Sequence, residues 1–151
     1  MVYDPNLDEM FVAERGRGTT ANDHPLSVSV TPTLDESLLA TGFPYNIREG
    51  VDNNLKEYAA FSVRARAVRR LGSAVLYLAW LACGRLDGYW ELRLGPWDVA
   101  AGSLLVEEAG GRITDLTGGA LDLDSPSLVA SNGRIHSAIL KVLREVRGDE
   151  P

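Results

Sequence analysis

The sequence predicts an α/β protein built in layers, on three observations. Short apolar stretches with period two alternate along the chain with longer apolar segments of helical length. Glycine, proline and asparagine stand at the junctions between them. The segment 74–83 is apolar on every side, as a helix enclosed between layers must be. The chain has 151 residues, enough for one domain with its own core, and no repeat, linker or low-complexity stretch divides it. A single domain over residues 1–151 is therefore expected.

The first elements are short strands. Met1–Tyr3 and Glu9–Ala13 flank the turn residues Asp4-Pro5-Asn6 and read as a hairpin. Gly16 and Gly18 break the pattern, and Leu26–Val30 then alternates as a strand with one buried face. Ser37–Thr41 reads as a short buried strand stopped by Gly42-Phe43-Pro44. A helix is expected from Val51 to Val63, with Leu55, Tyr58, Ala59 and Ser62 facing inward. Ala67–Leu71 is a strand. The helix Ala74–Cys83 comes next, with Ser73 as N-cap and Gly84 as its stop. Gly88–Leu92 is a strand, Asp98–Ala109 a helix closed by Gly110-Gly111, and Arg112–Asp115 and Ser127–Ala130 are strands. A last helix spans Arg134–Val146, capped by Ser131 or Asn132.

Composition excludes several classes. The formal net charge of −6 argues against binding to a nucleic-acid backbone. The basic cluster Arg64, Arg66, Arg69 and Arg70 has no interleaved aromatic platform and reads as solvated surface with an ion pair or two. No apolar run reaches the length of a membrane span, and the first residues lack the pattern of a signal peptide. Cys83 is the single cysteine, which suits a reducing, cytoplasmic setting. His24 and His136 have no metal-ligand spacing and read as structural or surface residues. Gly72-Ser73-Ala74 lacks the second glycine of a nucleophile elbow, and Gly16-Arg17-Gly18 lacks the third glycine of a dinucleotide site. Asp122, Asp124 and Ser125 lack the remaining ligands of a calcium loop.

The informative run is Leu94-Gly95-Pro96-Trp97-Asp98, which opens an apolar helix ending Glu107-Glu108-Ala109-Gly110-Gly111. A carboxylate in the first turn is stabilised by the helix dipole by about 0.3–1 kcal/mol, which accounts for Asp98 without any function. The same position could also present oxygen to a hard cation such as Mg2+. The run from Trp97 to Gly111 resembles the C-terminal signature of the inositol monophosphatase family. Arg69-Arg70-Leu71-Gly72-Ser73-Ala74 is similar to that family's glycine–hydroxyl–alanine turn. Gly84-Arg85-Leu86-Asp87-Gly88-Tyr89-Trp90-Glu91 is similar to the strand before its Trp-Asp motif. Thr41-Gly42-Phe43-Pro44-Tyr45 and Val2-Tyr3-Asp4-Pro5 also match bacterial members.

The resemblance implies a layered α-β-α sandwich, the C-terminal part of the sugar phosphatase fold, with a mixed sheet flanked by helices. It implies hydrolysis of inositol phosphate or a related sugar phosphate by metal-activated water, with Mg2+ as cofactor. Asp98 matches a metal ligand that also lies close to the substrate phosphate. Glu91 matches a carboxylate that contacts substrate hydroxyls, and Gly72, Ser73 and Ala74 match a turn lining the substrate pocket. Ser73 could equally be a cap only, and Glu91 a solvated strand residue. Tyr89 and Trp90 read as packing.

The family's Glu-Glu pair and Asp-Pro-x-Asp-Gly-Thr loop are absent. Asp4-Pro5-Asn6-Leu7-Asp8 has one residue too many and no Gly-Thr. The expectation is therefore a C-terminal half, without the N-terminal half of the fold and inactive alone. As family members are usually dimers, a homodimer is expected. The alternative is a non-catalytic domain that binds a polyol or anion, or that partners a full-length paralogue.

Overall fold

The computed structural model describes residues 1–45, 47–49, 52–124 and 127–148. The first hairpin forms as expected: β1 (Val2–Asp4) pairs antiparallel with β2 (Glu9–Glu14). Asp4 is buried at the end of β1 and accepts the Asn6 N–H at 2.9 Å, so it makes a turn. The chain then returns at Gly16 and Gly18, both at positive φ, into β3 (Gly18–Ala21) and the two-residue β4 (His24–Pro25). These four strands make an antiparallel sheet in chain order.

The strand expected at Leu26–Val30 is not one. Its alternation is real in part, since Leu26 and Val28 pack against the core, but Val30 is exposed. The Val28 N–H bonds the Ala109 carbonyl at a helix end instead of a neighbouring strand. Strand β3, rich in threonine and glycine, has no apolar alternation to announce it.

The second sheet has five strands in the order β6-β5-β7-β9-β8. β5 (Leu38–Thr41) runs parallel to both β6 (Ala67–Arg69) and β7 (Gly88–Glu91). β9 (Leu128–Ser131) is antiparallel to β7 and to β8 (Arg112–Thr114). The pleat sends alternate residues to opposite faces. Ala40, Tyr89, Leu128 and Ala130 join one core; Leu39, Trp90 and Val129 join the other.

Helices α2 (Ala74–Ala82) and α3 (Pro96–Glu108) fill the first core, between the two sheets. This explains why α2 is apolar all round: one side meets the mixed sheet and the other meets Val2 and Phe11 of the hairpin. The two helices approach closely at Gly102, where a Cβ would lie 2.6 Å from that of Leu78. Helices α1 (Leu55–Ser62) and α4 (His136–Arg147) cover the opposite face of the mixed sheet.

Two helix expectations need correction. The expected start of α1 at Val51 lies outside the described residues, and the helix itself begins at Leu55. Its inner face carries Glu57 and Phe61, whereas Leu55 and Tyr58 are exposed. A buried carboxylate takes an inner position because Arg147 meets it: Arg147 Nη1 lies 2.8 Å from Glu57 and 3.0 Å from Asp52. Helix α4 starts two residues later than expected. The Asn132 side chain accepts the Arg134 and Ile135 N–H groups at 3.0 and 3.3 Å, and this turn takes up residues 133–135. Among the described residues, no helix is long and apolar enough to cross a membrane.

Candidate functional site

Because β5, β6 and β7 are mutually parallel, their C-terminal ends leave the sheet on the same side, the usual place for a ligand in an α/β sheet. A cavity of about 270 Å³ lies there. Gly72, Ser73 and Ala74 reach it from the turn after β6, Glu91 from the end of β7, and Asp98 from the first turn of α3. The five residues expected at the site thus line one cavity.

The turn after β6 is held by Tyr77, whose hydroxyl accepts the N–H groups of Leu71 and Gly72, the latter at 2.6 Å. Gly72 has φ 104, open to glycine at little cost. Ser73 occupies the N-cap position of α2 in an extended conformation, but its side chain makes no capping hydrogen bond. The helix start therefore keeps unpaired N–H groups and the positive end of the dipole beside the cavity, an arrangement suited to an anionic or a polyhydroxylated ligand.

Glu91 is more confined than a solvated strand residue. Its carboxylate accepts the Tyr89 hydroxyl at 2.5 Å. It also lies against Gly42, where a Cβ would come within 2.1 Å of Oε1. Burial raises the Glu91 pKa and the charge of Asp98 adds to this, opposed by the Tyr89 hydrogen bond and by Arg70. The Tyr89 hydroxyl is pushed well above its ordinary value, mainly by burial and then by the Glu91 charge. Tyr89 and Trp90 are fully buried and pack in the core, as expected of them.

Asp98 sits at the third position of α3. Its Oδ2 accepts the Gly95 N–H at 2.9 Å while its own N–H donates to the Gly95 carbonyl at 3.0 Å, a reciprocal cap. One carboxylate oxygen is thus spent on the helix start. Trp97, beside it, is 79% exposed and lies over Gly95.

The cavity also uses residues that sequence reasoning did not assign to it. Gly42, Phe43, Pro44 and Tyr45 form one wall, and Arg70, Arg93 and Tyr77 contribute as well. The Arg70 guanidinium stands 5.1 Å from the centre of the Phe43 ring, a cation–π contact. A signal for this wall was present in the glycine–aromatic–proline stop after a buried strand. Arg70 was hidden in a cluster read as surface. Arg64 of that cluster does form a surface ion pair, with Glu145 at 2.9 Å. His136 is buried, its ring nitrogens 3.0 Å from Thr114 Oγ1 and 2.9 Å from Ser131 Oγ, and it is not among the residues lining the cavity. His24 is exposed.

Mg2+ takes six oxygen ligands in near-octahedral geometry. Asp98 and Glu91 are the carboxylates lining the cavity, and one Asp98 oxygen is committed to Gly95. Among the described residues no three His, Cys, Asp or Glu side chains converge as a metal site. These residues fit one corner of such a site and do not complete it.

Known proteins resemble this chain in sequence and in fold. The model of the inositol monophosphatase family matches residues 1–147. An inositol-1-monophosphatase of Synechocystis is 44% identical over 143 residues, 95% of this chain and 50% of its own length. The Nus factor SuhB of Escherichia coli is 41% identical over 149 residues, 99% of this chain and 56% of its own. The solved inositol monophosphatase from Anabaena superimposes with a TM-score of 0.93 at 46% identity, covering 95% of this chain and 57% of that one. The chain spans about half the length of the curated relatives it matches.

Proposed function

Because this chain belongs to the inositol monophosphatase family, we propose that it carries one side of the substrate pocket of a Mg2+-dependent phosphomonoesterase acting on inositol phosphate or a related sugar phosphate. The observation that supports this reading is the meeting of Gly72, Ser73, Ala74, Glu91 and Asp98 around one cavity from three separate elements. The turn Gly72-Ser73-Ala74, with the free N–H groups at the start of α2, lines the pocket beside Glu91 and hydrogen-bonds oxygens of the ester. Glu91, held by Tyr89, accepts hydrogen bonds from substrate hydroxyls. Asp98 offers one oxygen to a cation, and its other oxygen fixes the helix start that aims it. The described residues supply only part of a metal site, so this chain alone is expected to bind the ester without turning it over. An assembled pocket favours this reading over a purely non-catalytic oligomerisation domain. The reading extends to a homodimer, supported by the outer edge of β1, where Met1 and Tyr3 are exposed.

The test is a 1H–15N chemical-shift titration of the chain with inositol 1-phosphate, with and without Mg2+, beside a phosphate-release assay. The expected result is shifts at residues 72–74 and 91, enhanced by Mg2+ in the unaltered chain but not in Asp98→Asn. That variant keeps an oxygen for Gly95, so its fold is retained. Absence of shifts at these residues would overturn the pocket, and Mg2+-dependent turnover by the chain itself would overturn its incompleteness.

A further inference from the structure

Asn54 precedes α1 at its N-cap position, yet its side chain makes no capping bond and is turned into the protein, where the residue is 1% exposed. Its backbone is left-handed, at φ 66, which asparagine tolerates better than most residues. Nδ2 donates to Thr41 Oγ1 at 2.8 Å and to the Gly42 carbonyl at 2.6 Å. Oδ1 accepts the Trp90 indole N–H at 2.6 Å. The Thr41 hydroxyl donates in turn to the Trp90 carbonyl at 2.6 Å. Thr41 and Trp90 are the last partners in the ladder between β5 and β7. The amide therefore continues the join between the two strands past the end of that ladder.

The next residue along the chain from each partner lines the cavity: Gly42 after Thr41, Glu91 after Trp90. Those two are in close contact, with no room for a Cβ on Gly42. A small lateral slip of one strand end against the other would carry Glu91 off its seat. The task needs two donors and one acceptor in one plane. An aspartate lacks the donors and an aliphatic residue lacks both. Phe61 of α1 packs against the Trp90 ring at a tilt of 38°, with 4.2 Å between centroids, which holds the indole where Asn54 meets it.

We propose that Asn54 is a positioning residue for substrate recognition: it locks the ends of β5 and β7 so that Gly42 and Glu91 stay in contact at the cavity floor. This rests on the proposed pocket, in which Glu91 meets the substrate's hydroxyls. A loss at Asn54 then weakens recognition of the polyol through Glu91.

The test titrates the chain with inositol 1-phosphate, monitored by 1H–15N shifts. Asn54→Gly removes the side chain and accepts the left-handed backbone. It is expected to weaken inositol 1-phosphate binding about fivefold or more, the size of a lost buried hydrogen bond. In a Glu91→Gln background the same change is expected to have little further effect, because Asn54 acts through Glu91. Thr41→Val, nearly isosteric, repeats the measurement if Asn54→Gly does not fold. Unchanged inositol 1-phosphate binding, or full additivity with Glu91→Gln, would overturn the inference while leaving the pocket standing. Failure of the unaltered chain to bind inositol 1-phosphate would overturn the pocket, and the inference with it.

Discussion

Gly42→Ala places one methyl group where the Glu91 carboxylate now lies. The added Cβ would stand 2.1 Å from Oε1, 2.3 Å from Cδ and 2.4 Å from Oε2. Ordinary contact needs about 3.5 Å, so the carboxylate must retreat by more than about 1 Å. It cannot do so and keep Tyr89 at 2.5 Å. The backbone of Gly42 is not left-handed, so alanine adds no conformational strain there. The stability cost is the loss of one hydrogen bond to a carboxylate, about 1.5–3 kcal/mol. The functional cost is of similar size, because a displacement of about 1 Å at a recognition group can weaken it by up to about 10²-fold, or about 2.7 kcal/mol. Chemical denaturation and inositol 1-phosphate titration measure the two separately. The expected variant is folded, destabilised by no more than about 3 kcal/mol, and at least about tenfold weaker in binding. A folded variant with unchanged binding would refute the role assigned to the Gly42–Glu91 contact.

Two further predictions concern the framework. Arg147→Met leaves the buried Glu57 carboxylate without its cation and is expected to cost about 3 kcal/mol. Urea unfolding should show a lower midpoint at unchanged slope, and Glu57→Leu in the same chain should recover most of the loss; no recovery would locate the cost elsewhere. His136 has its pKa lowered to about 4, first by burial and then by Arg112. The native protein therefore holds it neutral while the unfolded chain, with a value near 6.5, takes up a proton. Its contribution is complete above about pH 6.5 and is lost as pH falls from there towards 4, by at most about 3 kcal/mol. Unfolding free energies at pH 7 and 4.5 should differ less in His136→Gln than in the unaltered chain; equal differences would exonerate the histidine.

The α/β class, both central helices and most strands of the mixed sheet were legible because their burial is two-sided or strictly alternating. Residues 74–82 carry no polar side chain except the Tyr77 hydroxyl and the Trp80 indole N–H, and only enclosure permits that. The strand at Gly18–Ala21 was not legible, because cross-strand hydrogen bonds hold it and no apolar face marks it. Nor was the inner face of α1, where Glu57 is buried by an arginine ninety residues away. At the site, motif positions 72–74, 91 and 98 fell around one cavity. Gly42 and Asn54 were passed over because their part lies in spacing between strand ends, which a linear pattern does not record.

Trp97, Trp80 and Trp90 occupy three different surroundings: open solvent at the start of α3, the partly covered side of α2, and the sealed sheet. An indole's emission moves to longer wavelength with the polarity around it, and collisional quenchers reach only those in contact with water. The longest-wavelength and most readily iodide-quenched part of this protein's fluorescence thus comes mainly from Trp97, the immediate neighbour of Asp98. Whatever settles over the start of α3, whether a ligand or another polypeptide, will write itself into that part of the spectrum and leave the Trp90 component as an internal standard.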